Sequence, residues 1–139
     1  RLLCGGDASV DAALANGNFV EPTVIADVKM AMRIAREEIF GPVLSVIGWT
    51  DEAEMLRDVN AVEYGLSASI WTRDIDAAHR VAMAVEVGYV WINEVGKHFL
   101  GAPFGGFKQS GFGREECIEE MLQYTQLKNI LLRLRTRAQ

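Results

Sequence analysis

The stretch that decides the fold lies between residues 42 and 92. It reads PVLSVIGW (42–49), TDEAEMLRDVNAV (50–62), LSASIWT (66–72), DIDAAHRVAMAVE (74–86) and YVWI (89–92). The first, third and fifth pieces are short, apolar and rich in β-branched or aromatic residues, the pattern of buried strands. The second piece carries Ala53, Leu56 and Val59 at spacing three, with Thr50 or Asp51 able to cap the free amides. In the fourth, Ile75, Ala78, Val81, Ala82 and Val85 fall on one helical face behind Asp74. Strand, helix, strand, helix, strand with short connections reads as two consecutive βαβ units. The expected fold class is therefore α/β, with a parallel βαβαβ sheet core covered by flanking helices.

Outside that core, residues 1–5 and 19–26 are expected to be extended, and residues 30–37 to form a short helix. Residues 93–113 hold Gly96, Gly101, Gly105, Gly106, Gly111 and Gly113. Six glycines in so short a span describe a long shaped loop, and long loops inside compact domains usually carry function. Residues 114–123 follow as an amphipathic helix. Cys117, Ile118, Met121 and Leu122 are expected to face inward, and Glu115, Glu116, Glu119 and Glu120 to face water. From Tyr124 the pattern alternates and ends in Ile130-Leu131-Leu132, an apolar terminal strand in need of an edge.

Composition excludes several classes. Half of the 139 residues are apolar and only three are proline, which argues against disorder and against collagen-like repeats. A net charge of −5 argues against unspecific binding to nucleic acid or to anionic membranes. No run approaches a membrane span. Two cysteines, Cys4 and Cys117, are too few for a disulfide framework and fit a reducing, cytoplasmic compartment. Both read as packing residues. His79 and His98 lack further ligands at metal spacing, so no metal site is expected. The chain starts at Arg1 and enters at once on Leu2-Leu3-Cys4, which reads as a piece of a longer polypeptide.

Two segments leave chemistry open. In EEIFGP (37–42), a carboxylate can accept both hydroxyls of a ribose, and a ring two residues on can flank a flat heterocycle. Equally, the segment can be a helix end turning into a strand. Phe99, Phe104, Phe107 and Phe112 can line an apolar tunnel or seal the core.

Taken together, GNFVEPTV (17–24), REEIFGPVLSV (36–46), NAVEYGLSASIWTRD (60–74), GYVWIN (88–93), PFGGFKQSGFGRE (103–115) and YTQLKNI (124–130) resemble the C-terminal part of the catalytic domain of NAD(P)-dependent aldehyde dehydrogenases. The resemblance covers nearly the whole chain. It implies a catalytic-domain portion at 1–123 and an oligomerisation strand and tail at 124–139. It also implies NAD or NADP as cofactor, with Glu38 on the nicotinamide ribose and Phe40 beside the nicotinamide. Phe104 matches a wall of the aldehyde channel, and His98 and Phe99 fall in a loop that varies with substrate. Glu115 matches a glutamate credited with proton relay or support of the site. The implied partners are a small aldehyde and further copies of the chain, joined through residues 124–134.

By the same resemblance, the nucleophilic cysteine and the general base precede Arg1, and neither cysteine here matches the nucleophile. Phe104 stands where members specialised for betaine aldehyde carry Trp, which disfavours that substrate. Gln126 stands where some members carry an acidic residue. The rival reading is a stand-alone, non-catalytic assembly module of the same fold.

Overall fold

The computed structural model describes residues 1–8, 11–14 and 16–134. Strands β1 (Leu2–Cys4), β2 (Thr23–Ile25) and β3 (Val43–Ser45) form one sheet in that order. β1 runs antiparallel to β2, and β2 parallel to β3 with Thr23 opposite Val43. Helix α1 (Glu52–Asn60) leads to β4 (Tyr64–Gly65) and β5 (Ser67–Ile70). Helix α2 (Ile75–Ala84) then leads to β6 (Tyr89–Ile92), which pairs in parallel with β5 from Ser67–Tyr89 to Ile70–Ile92. The antiparallel pair of β4 with β7 (Phe107–Lys108) folds the glycine-rich loop back onto the end of α1. Helix α3 (Ile118–Gln123) closes the regular structure.

The chain is thus mixed α/β with small sheets, and the second βαβ unit forms as expected while the first does not. β3 joins β2 instead of β5, so α1 connects two separate sheets. Consecutive strands lie side by side only about two-thirds of the time, and short connections alone do not force adjacency.

Local chemistry explains both long helices. The Asp51 carboxylate accepts from the Glu54 amide at 2.7 Å, and Asp74 accepts from Asp76 and Ala77 at 3.0 Å each. Each satisfies N-terminal amides that have no partner within the helix. The two helices are also tied together. Arg80 donates to both oxygens of Glu52 at 2.7 and 2.9 Å. At the other end, Asn60 donates to the Ala84 carbonyl and accepts from the Glu86 amide, at 2.9 and 2.8 Å.

Further expectations change. Residues 30–37 yield only the 3-10 turn Arg33–Ala35, closed by an Arg33–Glu37 ion pair at 2.7 Å. The helix expected over 114–123 begins at Ile118, and its apolar residues Ile118, Met121 and Leu122 are exposed rather than inward. Cys4, expected to pack, is exposed, and Ile75 of α2 also faces outward. Residues 124–134 form no strand, because no sheet edge meets them among the described residues, and Leu127, Ile130, Leu131 and Leu132 stand exposed. A strand without an edge has unpaired backbone groups and nothing to define it. The tail at 135–139 lies outside the described residues.

The buried apolar core among the described residues is small: Ala26, Val28, Ala78 and Val85. Among the described residues no helix is long and apolar enough to cross a membrane.

The Arg80–Glu52 pair gives a pH prediction. Hydrogen bonding from Arg80, ahead of its charge, holds the Glu52 carboxyl below its ordinary range. A lowered carboxylate stabilises the fold above its unfolded pKa, and that contribution is lost as pH falls through the folded value. Because the pair is exposed, the effect is small and weakened by salt. A carbon-13 NMR titration should place the Glu52 midpoint below that of an unpaired glutamate. Arg80→Met should raise it back; an unmoved midpoint would contradict the tie.

Candidate active site

The site residues expected from the sequence fall into two groups. The first is Glu38 and Phe40, between the 3-10 turn and β3. Phe40 has φ +55° and is 92% exposed. An L residue at positive φ carries strain, and such strain concentrates at functional positions. The following turn is tight, with the Val43 amide donating to the Gly41 carbonyl at 2.7 Å. Glu38 is exposed. An exposed carboxylate, a hydrogen-bond acceptor, thus stands two residues before an exposed ring.

The second group surrounds β6 and the glycine-rich loop. Phe104 is half-buried, and its amide and carbonyl pair with the backbone of Glu115 at 3.1 and 2.7 Å. This bridge closes the loop and brings residues 98 and 116 together. The His98 ring lies 4.5 Å from that of Phe104 and 5.8 Å from that of Tyr89, stacked on the latter at 15°. Trp91 completes the cluster at 5.8 Å from His98, its indole N–H donating to the Lys97 carbonyl at 2.7 Å. His98 Nδ1 meets Glu116 Oε1 at 2.9 Å.

Phe99 stays outside this cluster, exposed, with Lys97 Nζ 5.4 Å above its ring. Glu115 lines a cavity of about 260 Å³ with Phe104, Ser110, Phe112 and Arg114. No hydrogen bond, ion pair or ring contact joins Glu38 or Phe40 to the second group among the described residues. An apolar groove of about 550 Å³ against Met30, Trp49, Met55 and Val62 contains none of the expected site residues.

Three side chains hold the loop in shape. Arg114 donates to the carbonyls of Gly106 and Gly113 at 3.1 and 2.5 Å and lies 5.6 Å from the Phe107 ring. Lys108 donates to Asn60 O at 2.6 Å and pairs with Glu86 at 2.7 Å. Asn93, at φ +55°, accepts from Thr72 N and donates to Thr72 O, both at 2.9 Å, locking the ends of β5 and β6. Glu116 is the residue that sequence reading assigned to water and the structure assigns to His98. Its distance along the chain from His98 left no local signal.

Cys4 has no base beside it, whereas Cys117 also hydrogen-bonds the Glu119 carboxyl, which a backbone amide first and this thiol second hold below the ordinary range. Cys4 Sγ donates to the Pro22 carbonyl at 3.8 Å and Cys117 Sγ to the Arg114 carbonyl at 3.6 Å. No metal-binding cluster of His, Cys, Asp or Glu occurs among the described residues.

Known proteins resemble this chain in sequence and fold. The aldehyde dehydrogenase family profile matches residues 1–130, and the chain belongs to that family. Aldehyde dehydrogenase tropH of Talaromyces stipitatus is 51% identical over 137 residues, covering 96% of this chain and 27% of that protein. Betaine aldehyde dehydrogenase of Staphylococcus aureus, solved with NAD+, superposes with TM-score 0.84 at 42% identity over 89% of this chain and 25% of that one. An aldehyde dehydrogenase of Mycobacterium tuberculosis complexed with NAD+ gives TM-score 0.84 at 40% identity, over 99% and 28%. The chain therefore spans about a quarter of the length of these relatives.

Gly88 is the residue on which the loop closes. A Cβ there would collide with the backbone carbonyl of Gly105, which has no side-chain freedom to yield. Gly88→Ala should displace residues 103–113 and destabilise the chain by about 2 kcal/mol or more, the range of overpacked sites. Urea denaturation checks this; a change under about 0.5 kcal/mol, the level of neutral surface substitutions, would contradict the close approach.

Proposed function

We propose that residues 1–139 form one part of an aldehyde dehydrogenase that oxidises an aldehyde to a carboxylic acid with NAD(P)+. Phe40 is the observation that supports this most: a strained, exposed ring two residues after an exposed carboxylate. The two oxygens of Glu38 can each accept from a ribose hydroxyl. The face of Phe40 can flank the nicotinamide. Bound NAD(P)+ supplies the hydride acceptor. The relatives solved with NAD+ support the nicotinamide assignment and leave NAD and NADP equally open.

Phe104 forms part of the aldehyde channel wall, with His98 and Phe99 on its variable side. Glu115 supports that wall through its backbone bridge to Phe104. The betaine aldehyde activity named for the Staphylococcus relative does not carry over easily. Phe104 stands where, by the resemblance, members specialised for betaine aldehyde carry Trp, the ring that attracts a quaternary ammonium most strongly.

Acid formation needs a thiolate to add to the carbonyl carbon, a hydride to leave, and water to cleave the resulting thioester. Under this proposal Cys4, held to the Pro22 carbonyl, and Cys117, held to the Arg114 carbonyl beside the Glu119 carboxylate whose charge disfavours a thiolate, do not supply the nucleophile. In this reading residues 1–123 contribute a cofactor grip and a channel wall. Residues 124–134 contribute an assembly strand that pairs with another copy. A purely structural assembly module would use the same strand but gives no reason for the strained, outward Phe40.

The purified 139-residue chain should therefore produce no NADH or NADPH from any aldehyde. Turnover by the chain, free of longer enzyme, or a thioester trapped on either cysteine, would overturn the assignment of the nucleophile to another part of the protein.

A further inference from the structure

Two consecutive residues hold Phe104 from two sides. The backbone of Glu115 pairs with its amide and carbonyl and fixes its main chain. Its ring is met by His98 at 4.5 Å and by Tyr89 at 5.5 Å. His98 is met in turn by the next residue, Glu116, whose Oε1 lies 2.9 Å from Nδ1. That contact is the only hydrogen bond of the imidazole among the described residues, and packing against Tyr89 and Trp91 supplies the rest of its support.

The conformation at residue 116 is costly. Its φ of +61° turns the chain from the extended bridge at Glu115 into α3. The Gly101 amide donates to its carbonyl and its own amide donates to Glu120 Oε2, both at 2.7 Å. Its Oε2 is buried without a hydrogen-bond partner. A left-handed residue with a side chain and an orphaned carboxylate oxygen each reduce stability. Backbone conformation alone favours glycine at this position. What glycine lacks is the carboxylate that reaches His98.

We propose that Glu116 is a positioning residue for Phe104: it holds His98 as a wedge among Tyr89, Trp91 and Phe104, and so fixes the ring whose main chain Glu115 fixes. The inference rests on the proposed role of Phe104 in the channel wall and adds the residue that sets the place of its ring.

The test has two arms. In the 139-residue chain, the neighbouring rings should displace the proton resonances of the Phe104 ring from the values of free phenylalanine. Glu116→Leu removes the carboxylate and keeps the backbone strain, whereas Glu116→Gly removes both, so that a folding defect from strain does not affect the second variant. Either should return the Phe104 resonances toward the free values, and Glu116→Gln, which keeps an acceptor oxygen, should hold them in place. Adding Glu116→Leu to His98→Leu should move them no further than His98→Leu alone, because Glu116 acts through His98. Resonances indifferent to both Glu116→Leu and Glu116→Gly, or a double variant that adds the two effects, overturn the positioning role.

The second arm uses the full-length enzyme carrying this segment, with whichever of propanal, hexanal and benzaldehyde it oxidises fastest. Glu116→Leu and Glu116→Gly should raise KM about tenfold, the scale of one hydrogen bond, and leave kcat within about twofold. Glu116→Gln should restore most of the KM. A fall in kcat at unchanged KM, the mark of fewer folded molecules, overturns the link from Glu116 to the channel. A wild-type enzyme that oxidises no aldehyde refutes the proposed function, while the resonances of Phe104 still decide whether Glu116 positions its ring.

Discussion

Apolar surface without cover is the constraint that shapes this chain. Its accessible surface is 11651 Å². A folded monomer of 15.4 kDa exposes about 7,200 Å². The excess, about 4,450 Å², lies on one chain and exceeds the roughly 1,000–2,500 Å² that each partner of an obligate interface contributes. Trp49 and Trp71, the apolar face of α3 and the run from Leu127 to Leu134 all contribute to it. With so few residues shielded from water, the hydrophobic effect that holds most domains together is only partly engaged here.

Polar ties define the local geometry instead. Asn60 and the Arg80–Glu52 pair join α1 to α2, Asn93 clamps β5 to β6, and Lys108 fastens the glycine-rich loop to the end of α1. Those ties serve the candidate site. The Phe104–Glu115 bridge closes the loop, and that closure sets His98 against Phe104 and Glu116. The cofactor-side pair, Glu38 and Phe40, is positioned separately by the tight turn that launches β3.

Periodicity made the local elements legible. Asp51 and Asp74 announced α1 and α2, and the β5–α2–β6 unit follows from short apolar runs around one amphipathic helix. Sheet membership was not legible, because the pairing of β3 with β2 depends on backbone partners distant in sequence. The same limit hid residues 124–134, where an alternating pattern describes a strand only if an edge is supplied. At the site, the family motifs drew attention to Glu38, Phe40, His98, Phe104 and Glu115. Glu116 escaped because its partner lies across a loop closure and its strain is a property of φ, which no side-chain pattern encodes.

Sedimentation velocity of the isolated 139-residue chain, across low to high micromolar concentrations, tests the uncovered-surface constraint most directly. Exposed faces of this size should drive self-association, so the weight-average sedimentation coefficient should rise with concentration. A coefficient that stays constant at the value of a compact monomer would contradict it.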